Sequence, residues 1–84
     1  MHLKNDEFAL LHAFIDKEII PYACEKPNKR YGINHIRWIV INILGLEVTS
    51  GLIANLLRQR GIAEKQINGS SHFAISSEFF YENL

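Results

Sequence analysis

An Asn-Gly pair at positions 68 and 69, set between two apolar-rich runs, limits what this chain can fold into more than any other feature. A two-residue hairpin turn of type I′ needs positive φ at both positions, and Asn-Gly accepts that most readily. With Asn68-Gly69 as the turn, Ile67 faces Ser70, Lys65 faces His72 and Glu64 faces Phe73. Ile62 and Ile75 then lie opposite one another on the same face as Phe73. That face anchors a hairpin over about residues 62–76 to a core while its tip projects.

The preceding residues carry helical periods. Asn5 or Asp6 is placed to cap a first helix over about 5–20, with Glu7 near its positive end. Phe8, Leu11, Phe14, Ile15 and Ile19 form its apolar face. Pro21 ends or kinks that helix, and Tyr22, Ala23 and Cys24 add a further turn. The polar stretch from Glu25 to Arg30 reads as an exposed loop, and Tyr31-Gly32-Ile33 as a very short strand. Asn34 then caps a second helix with Ile36, Ile39, Val40, Ile43 and Leu44 inward. Its β-branched residues make a strand the rival reading, but the segment is too long and keeps a helical period. Gly45 stops it. Thr49 or Ser50 caps a third helix bearing Leu52, Ile53, Leu56 and Leu57 on one face, closed by Gly61. Two short helices across a tight turn with Gly, about 34–60, fit a helix-turn-helix. Ser77 caps a last helix over about 77–84, whose Phe79, Phe80 and Tyr81 either pack on the first helix or form a homodimer contact with it. The expected fold class is α+β, mainly α, in a single domain over 1–84.

Composition excludes several functions. A chain of 84 residues leaves little room for an enclosed active site beside its core. The single Cys24 cannot form an internal disulfide and reads as a structural thiol. The most apolar run, Ile36 to Leu46, is broken by Arg37 and Asn42, so no membrane span is expected. The opening MHLKNDEF has acids where a signal peptide has bases and apolar residues, so a cytoplasmic protein is expected. His2, His12, His35 and His72 show no metal-ligand spacing, and there is no nucleophile turn or phosphate loop. No enzyme, metal or cofactor is expected. Net charge is zero but unevenly spread. Residues 1–25 carry two bases and five acids, 26–72 carry seven bases and two acids, and 73–84 carry two acids. A basic middle between acidic ends fits one phosphate-facing surface.

The run ILGLEVTSGLIANLLRQRGIAEKQINGSSHFAIS resembles the core of a winged-helix domain, as in small bacterial and phage transcription regulators. The resemblance implies a winged helix-turn-helix: a three-helix core, a two- to three-stranded wing sheet and here a short C-terminal helix. It also implies a third helix in the major groove of double-stranded DNA and a wing on the adjacent backbone. Its exposed stripe would be Ser50, Gly51, Ala54, Asn55 and Arg58. Asn55 would pair with adenine, and Arg58 with guanine or phosphate. Thr49 and Ser50 would donate to phosphate at the helix start. Lys65, Gln66, Asn68, Ser70 and Ser71 would belong to the wing, and Lys29, Arg30 and Arg37 would neutralise flanking phosphates. A dimer would set two third helices one turn of DNA apart.

The same fold also serves protein contacts, so a protein partner, through an inhibitor or accessory-subunit role, is the alternative expectation. Asn55 and Arg58 then belong to a solvated face, Lys29 and Arg30 to a solvated loop, and Arg37 to a pair with Glu47 or an acid of the first helix. Trp38 is expected partly buried on the second helix. The charge map separates the two readings. DNA binding requires Lys29, Arg30, Arg37, Arg58 and Lys65 to share one face with the third helix. It fails if Glu47 and Glu64 neutralise that face or the last helix covers it.

Overall fold

The computed structural model describes residues 3–84, so His2 lies outside it. The fold is α+β and mainly helical, with four α-helices and a two-stranded antiparallel sheet. Helix α1 (Asn5–Phe14) begins one residue earlier than its expected caps: Lys4 holds the cap position, and its amide donates to Glu7 Oε1 at 2.8 Å. The helix continues as a π turn at Ile15–Ile19 and a 3-10 turn at Ile20–Tyr22. Pro21 accounts for the change of pitch. It has no amide hydrogen, and its ring would strike the Lys17 carbonyl in a regular α-helix. The amide of Ile20 reaches back to the Ile15 carbonyl, which widens the turn just before the proline.

Helix α2 (Ile33–Leu44) corrects two expectations. Tyr31-Gly32-Ile33 is not a strand, and the cap position belongs to Gly32 rather than Asn34. Gly32 is needed for close approach, since a Cβ there would lie 3.1 Å from His72 Nε2. Gly45 ends the helix at φ 68°, in the left-handed region where glycine avoids the Cβ penalty. Thr49 caps α3 (Ser50–Gln59), its Oγ1 accepting from the Leu52 amide at 3.1 Å.

Strands β1 (Glu64–Ile67) and β2 (Ser70–Phe73) pair in the expected register, Glu64 with Phe73 through Ile67 with Ser70. Asn68 and Gly69 take φ 51° and 79°. The Ala74 amide donates to the Ala63 carbonyl, after which Ile75 bridges Ala23 rather than sitting as a strand partner of Ile62. Residues 22–28 therefore run along the other edge of this segment, through bonds from Ser76 to Tyr22, Cys24 to Ala74 and Asn28 to Phe73. The polar loop is pinned by Asn28. Its Oδ1 accepts from the amides of Arg30 and Tyr31, and its Nδ2 donates to Ile75 O and Ser77 Oγ.

One core joins these elements. Leu11, Ile15 and Ile19 from the first helical stretch meet Ile36, Ile39 and Val40 of α2, Ile53 and Leu57 of α3, and Phe73 and Ile75 of the hairpin. Each such side chain stabilises by about 1.5–3 kcal/mol, against about 0–1 kcal/mol for an exposed ion pair, so the core sets the architecture. Helix α4 (Ser77–Asn83) adds Phe79 and Phe80, both fully buried. Phe80 stacks on Tyr31 and Phe79 tilts against Tyr22. Phe79 and Phe80 thus belong to the core of the single chain, and only Tyr81 of that trio faces solvent. The buried positions of α2 end at Val40, so Ile43 is exposed, and Trp38 on the opposite face is 58% exposed rather than partly buried. Among the described residues, no helix is long and apolar enough to cross a membrane.

Candidate nucleic-acid interface

Three contacts draw the first turn of α2, the outer side of α3 and the hairpin together. Ser50 Oγ, at the start of α3, lies 3.1 Å from Asn34 Oδ1 on α2. Gly32 closes on His72 and Ser70 of β2. Arg58, in the last turn of α3, grips Glu64 of β1 through Nε to Oε1 and Nη2 to Oε2, both at 2.7 Å. The exposed residues of α3 on this side are Gly51, Asn55 and Arg58, so α4 does not cover them.

The stripe is narrower than the winged-helix resemblance implies. Ala54 is buried, drawn into the core beside Ile53 and Leu57, and cannot approach a ligand. Ser50 is half-buried with its hydroxyl proton engaged by Asn34, which leaves it a linker between helices rather than a phosphate donor. Thr49 is exposed; its oxygen accepts from Leu52, and its own proton faces no partner among the described residues. Asn55 Oδ1 accepts from Arg58 Nη1 at 3.0 Å.

Arg58 is held from several sides. Besides Glu64 and Asn55, its guanidinium carbon stands 6.0 Å from the centre of the Phe73 ring. The Arg58 side chain remains 47% exposed against 19% for that of Glu64. Hydrogen bonding from Arg58 holds the Glu64 carboxyl below its ordinary value, and the Ser71 hydroxyl adds to this. Glu64 also shifts Arg58 upward, so both groups are charged at neutral pH. One of the two acids that would neutralise the face therefore does so at Arg58. The other, Glu47, is exposed and forms no ion pair among the described residues.

The other expected bases lie on the 25–30 loop, α2 and β1. Lys29 and Arg30 are exposed on the Asn28-pinned loop, with Arg30 over the Tyr31 ring at 5.6 Å. Arg37 pairs with neither Glu47 nor an acid of α1; its Nε donates to the Val48 carbonyl at 2.7 Å and braces the turn between α2 and α3. Lys65 is exposed on β1, beside Gln66, whose Nε2 donates across the ladder to Ser71 Oγ at 2.7 Å. Asn68 is exposed at the hairpin tip, and Ser70 is half-buried near Gly32. Among the described residues, no three His, Cys, Asp or Glu side chains gather as metal ligands.

Two organising residues carried weak sequence signals. Asn28 sat inside a stretch read only as polar, although an Asn two residues before a loop backbone amide is the usual signal for an Asx turn. Glu64 was legible as an acid close to the basic segment, but its bidentate grip on Arg58 depends on how the Gly61 turn folds β1 back along α3. In comparison with known proteins, the chain matches no protein-family model, no curated protein and no solved structure.

Proposed function

We propose that this chain is a small duplex-DNA-binding protein of the winged-helix kind, a transcription regulator, with α3 facing the major groove and the β1–β2 hairpin as its wing. The element order supports the reading: α1, an extended residue at Ala23 bridged to Ile75, α2, a short turn, α3 and a hairpin. The observation that carries it is the open outer side of α3, where Asn55 and the ordered Arg58 guanidinium stand exposed beside a wing bearing Lys65 and Gln66. Because Glu64 offsets the charge of Arg58, phosphate attraction rests on Lys29, Arg30, Arg37 and Lys65. Arg58 and Asn55 supply directional hydrogen bonds instead.

A titration with a mixed-sequence duplex at two salt concentrations tests this. Affinity should fall steeply with salt, and a Lys29→Ala, Arg30→Ala double variant should lose up to about two units of the log-log salt slope. No measurable duplex binding at low salt overturns the reading. That result favours a protein partner, for which one observation speaks: Trp38 and Tyr81 are 58% and 61% exposed, well beyond what their apolar area needs for the fold.

A further inference from the structure

A guanidinium has five N–H donors. At Arg58, Glu64 takes the Nε hydrogen and one on Nη2, and Asn55 takes one on Nη1. That leaves one hydrogen on each terminal nitrogen, with no acceptor for either among the described residues. The plane they lie in is fixed from three directions, by a carboxylate on one edge, an amide oxygen on another and the buried Phe73 ring beyond. Glu64 is itself held, since Gln66 Nε2 reaches its Oε2 at 3.5 Å while bonding Ser71 across the ladder.

We propose that Glu64 is a positioning residue that makes Arg58 a reader of guanine rather than a phosphate anchor. The inference rests on the duplex-DNA reading above. A phosphate is anionic, and the adjacent Glu64 carboxylate repels it while cancelling the charge that would attract it. The major-groove edge of guanine is uncharged and offers two acceptors, O6 and N7, side by side. A charge-neutral arginine-carboxylate pair that still presents one donor on each terminal nitrogen matches that edge. Its bound geometry needs little further ordering of a long side chain. Lysine can also reach O6 and N7, but its ammonium has no planar fork for Glu64 and Asn55 to hold in one plane.

The test uses the full chain and a duplex pool with a randomised centre, from which bound duplexes are selected and sequenced. Selected duplexes should share a guanine, and replacing it with 7-deazaguanine, which lacks N7, should weaken binding about tenfold or more. Inosine, which keeps O6 and N7, should bind like guanine. Arg58→Ala should bring the guanine preference to within about twofold. Glu64→Gln should raise affinity for unselected duplex, steepen its salt slope by about one unit and lower the guanine preference, with the circular dichroism spectrum unchanged. A purely structural Glu64 would move none of these ratios. Guanine-independent binding, or a preference that survives either substitution, overturns this inference and leaves the DNA reading standing. Absence of any duplex binding at low salt overturns both.

Discussion

Arg58 and Arg60 stand two residues apart at the end of α3, and each grips a carboxylate, yet they do different things. Two residues along a helix turn the side chain by about 200°, so the pair point to opposite sides. Arg60 turns inward, is 17% exposed, and reaches Asp16 of the π turn at 2.6 Å, the Leu56 carbonyl at 3.0 Å and His12 Nδ1 at 2.9 Å. It ties the end of α3 to the first helix. Arg58 turns outward, is 47% exposed, and bonds only to its own helix and the adjacent strand. An arginine-carboxylate pair therefore says little by itself; what matters is whether the guanidinium's remaining donors face the chain or solvent.

The largest expected effect separates the two by stability. Arg60→Ala removes the Leu56 bond and a packed aliphatic stem, a loss of about 1–2 kcal/mol, with the exposed Asp16 partner adding little. A domain of this size should then melt roughly 4–16 °C earlier in a thermal scan. Arg58→Ala should stay within about 0.5 kcal/mol of the parent, as surface substitutions usually do. Equal destabilisation by the two would break the comparison and make Arg58 a structural residue. The next effect is on binding: Arg58→Ala should lower affinity for a selected duplex about tenfold, while Arg60→Ala, at a temperature where it remains folded, should leave it unchanged.

The sequence made one half of this contrast far more legible than the other. Hairpin register followed from a two-residue turn and a period of two, rules that involve only neighbouring residues. Gly45, Thr49 and Gly61 similarly mark helix ends through local backbone demands. Partners distant in sequence were not legible. Nothing in Ala23 signals a bridge to Ile75, and nothing in Arg60 signals Asp16, 44 positions away. The winged-helix resemblance puts Ala54 on the exposed stripe, and a small residue fits either side; tertiary packing places it in the core. Trp38 departs from expectation for the converse reason, since a large apolar side chain is expected at least partly inside, whereas it projects from the face opposite Ile36 and Val40.

The smallest effect is the most selective test of the contrast, because it isolates each pair by its own carboxylate. Hydrogen bonding from Arg60 holds Asp16 below its ordinary value of 3.8, and hydrogen bonding from Arg58 holds Glu64 below 4.5. A carboxylate whose folded pKa is lowered contributes stability that is fully present above its unfolded pKa and is lost as pH falls through the folded one. Both pairs should thus be intact at neutral pH and weaken only in acid, below about pH 4.5 for Glu64 and about 3.8 for Asp16. Both carboxylates lie at the surface, so the effect on overall stability is small. Carboxyl-carbon NMR titration reads it directly. Arg58→Ala should let Glu64 rise toward 4.5 and leave Asp16 where it was, and Arg60→Ala should do the reverse toward 3.8. If either substitution moves both carboxylates, the two arginines are coupled through α3, and the outward one could not be altered without disturbing the inward staple.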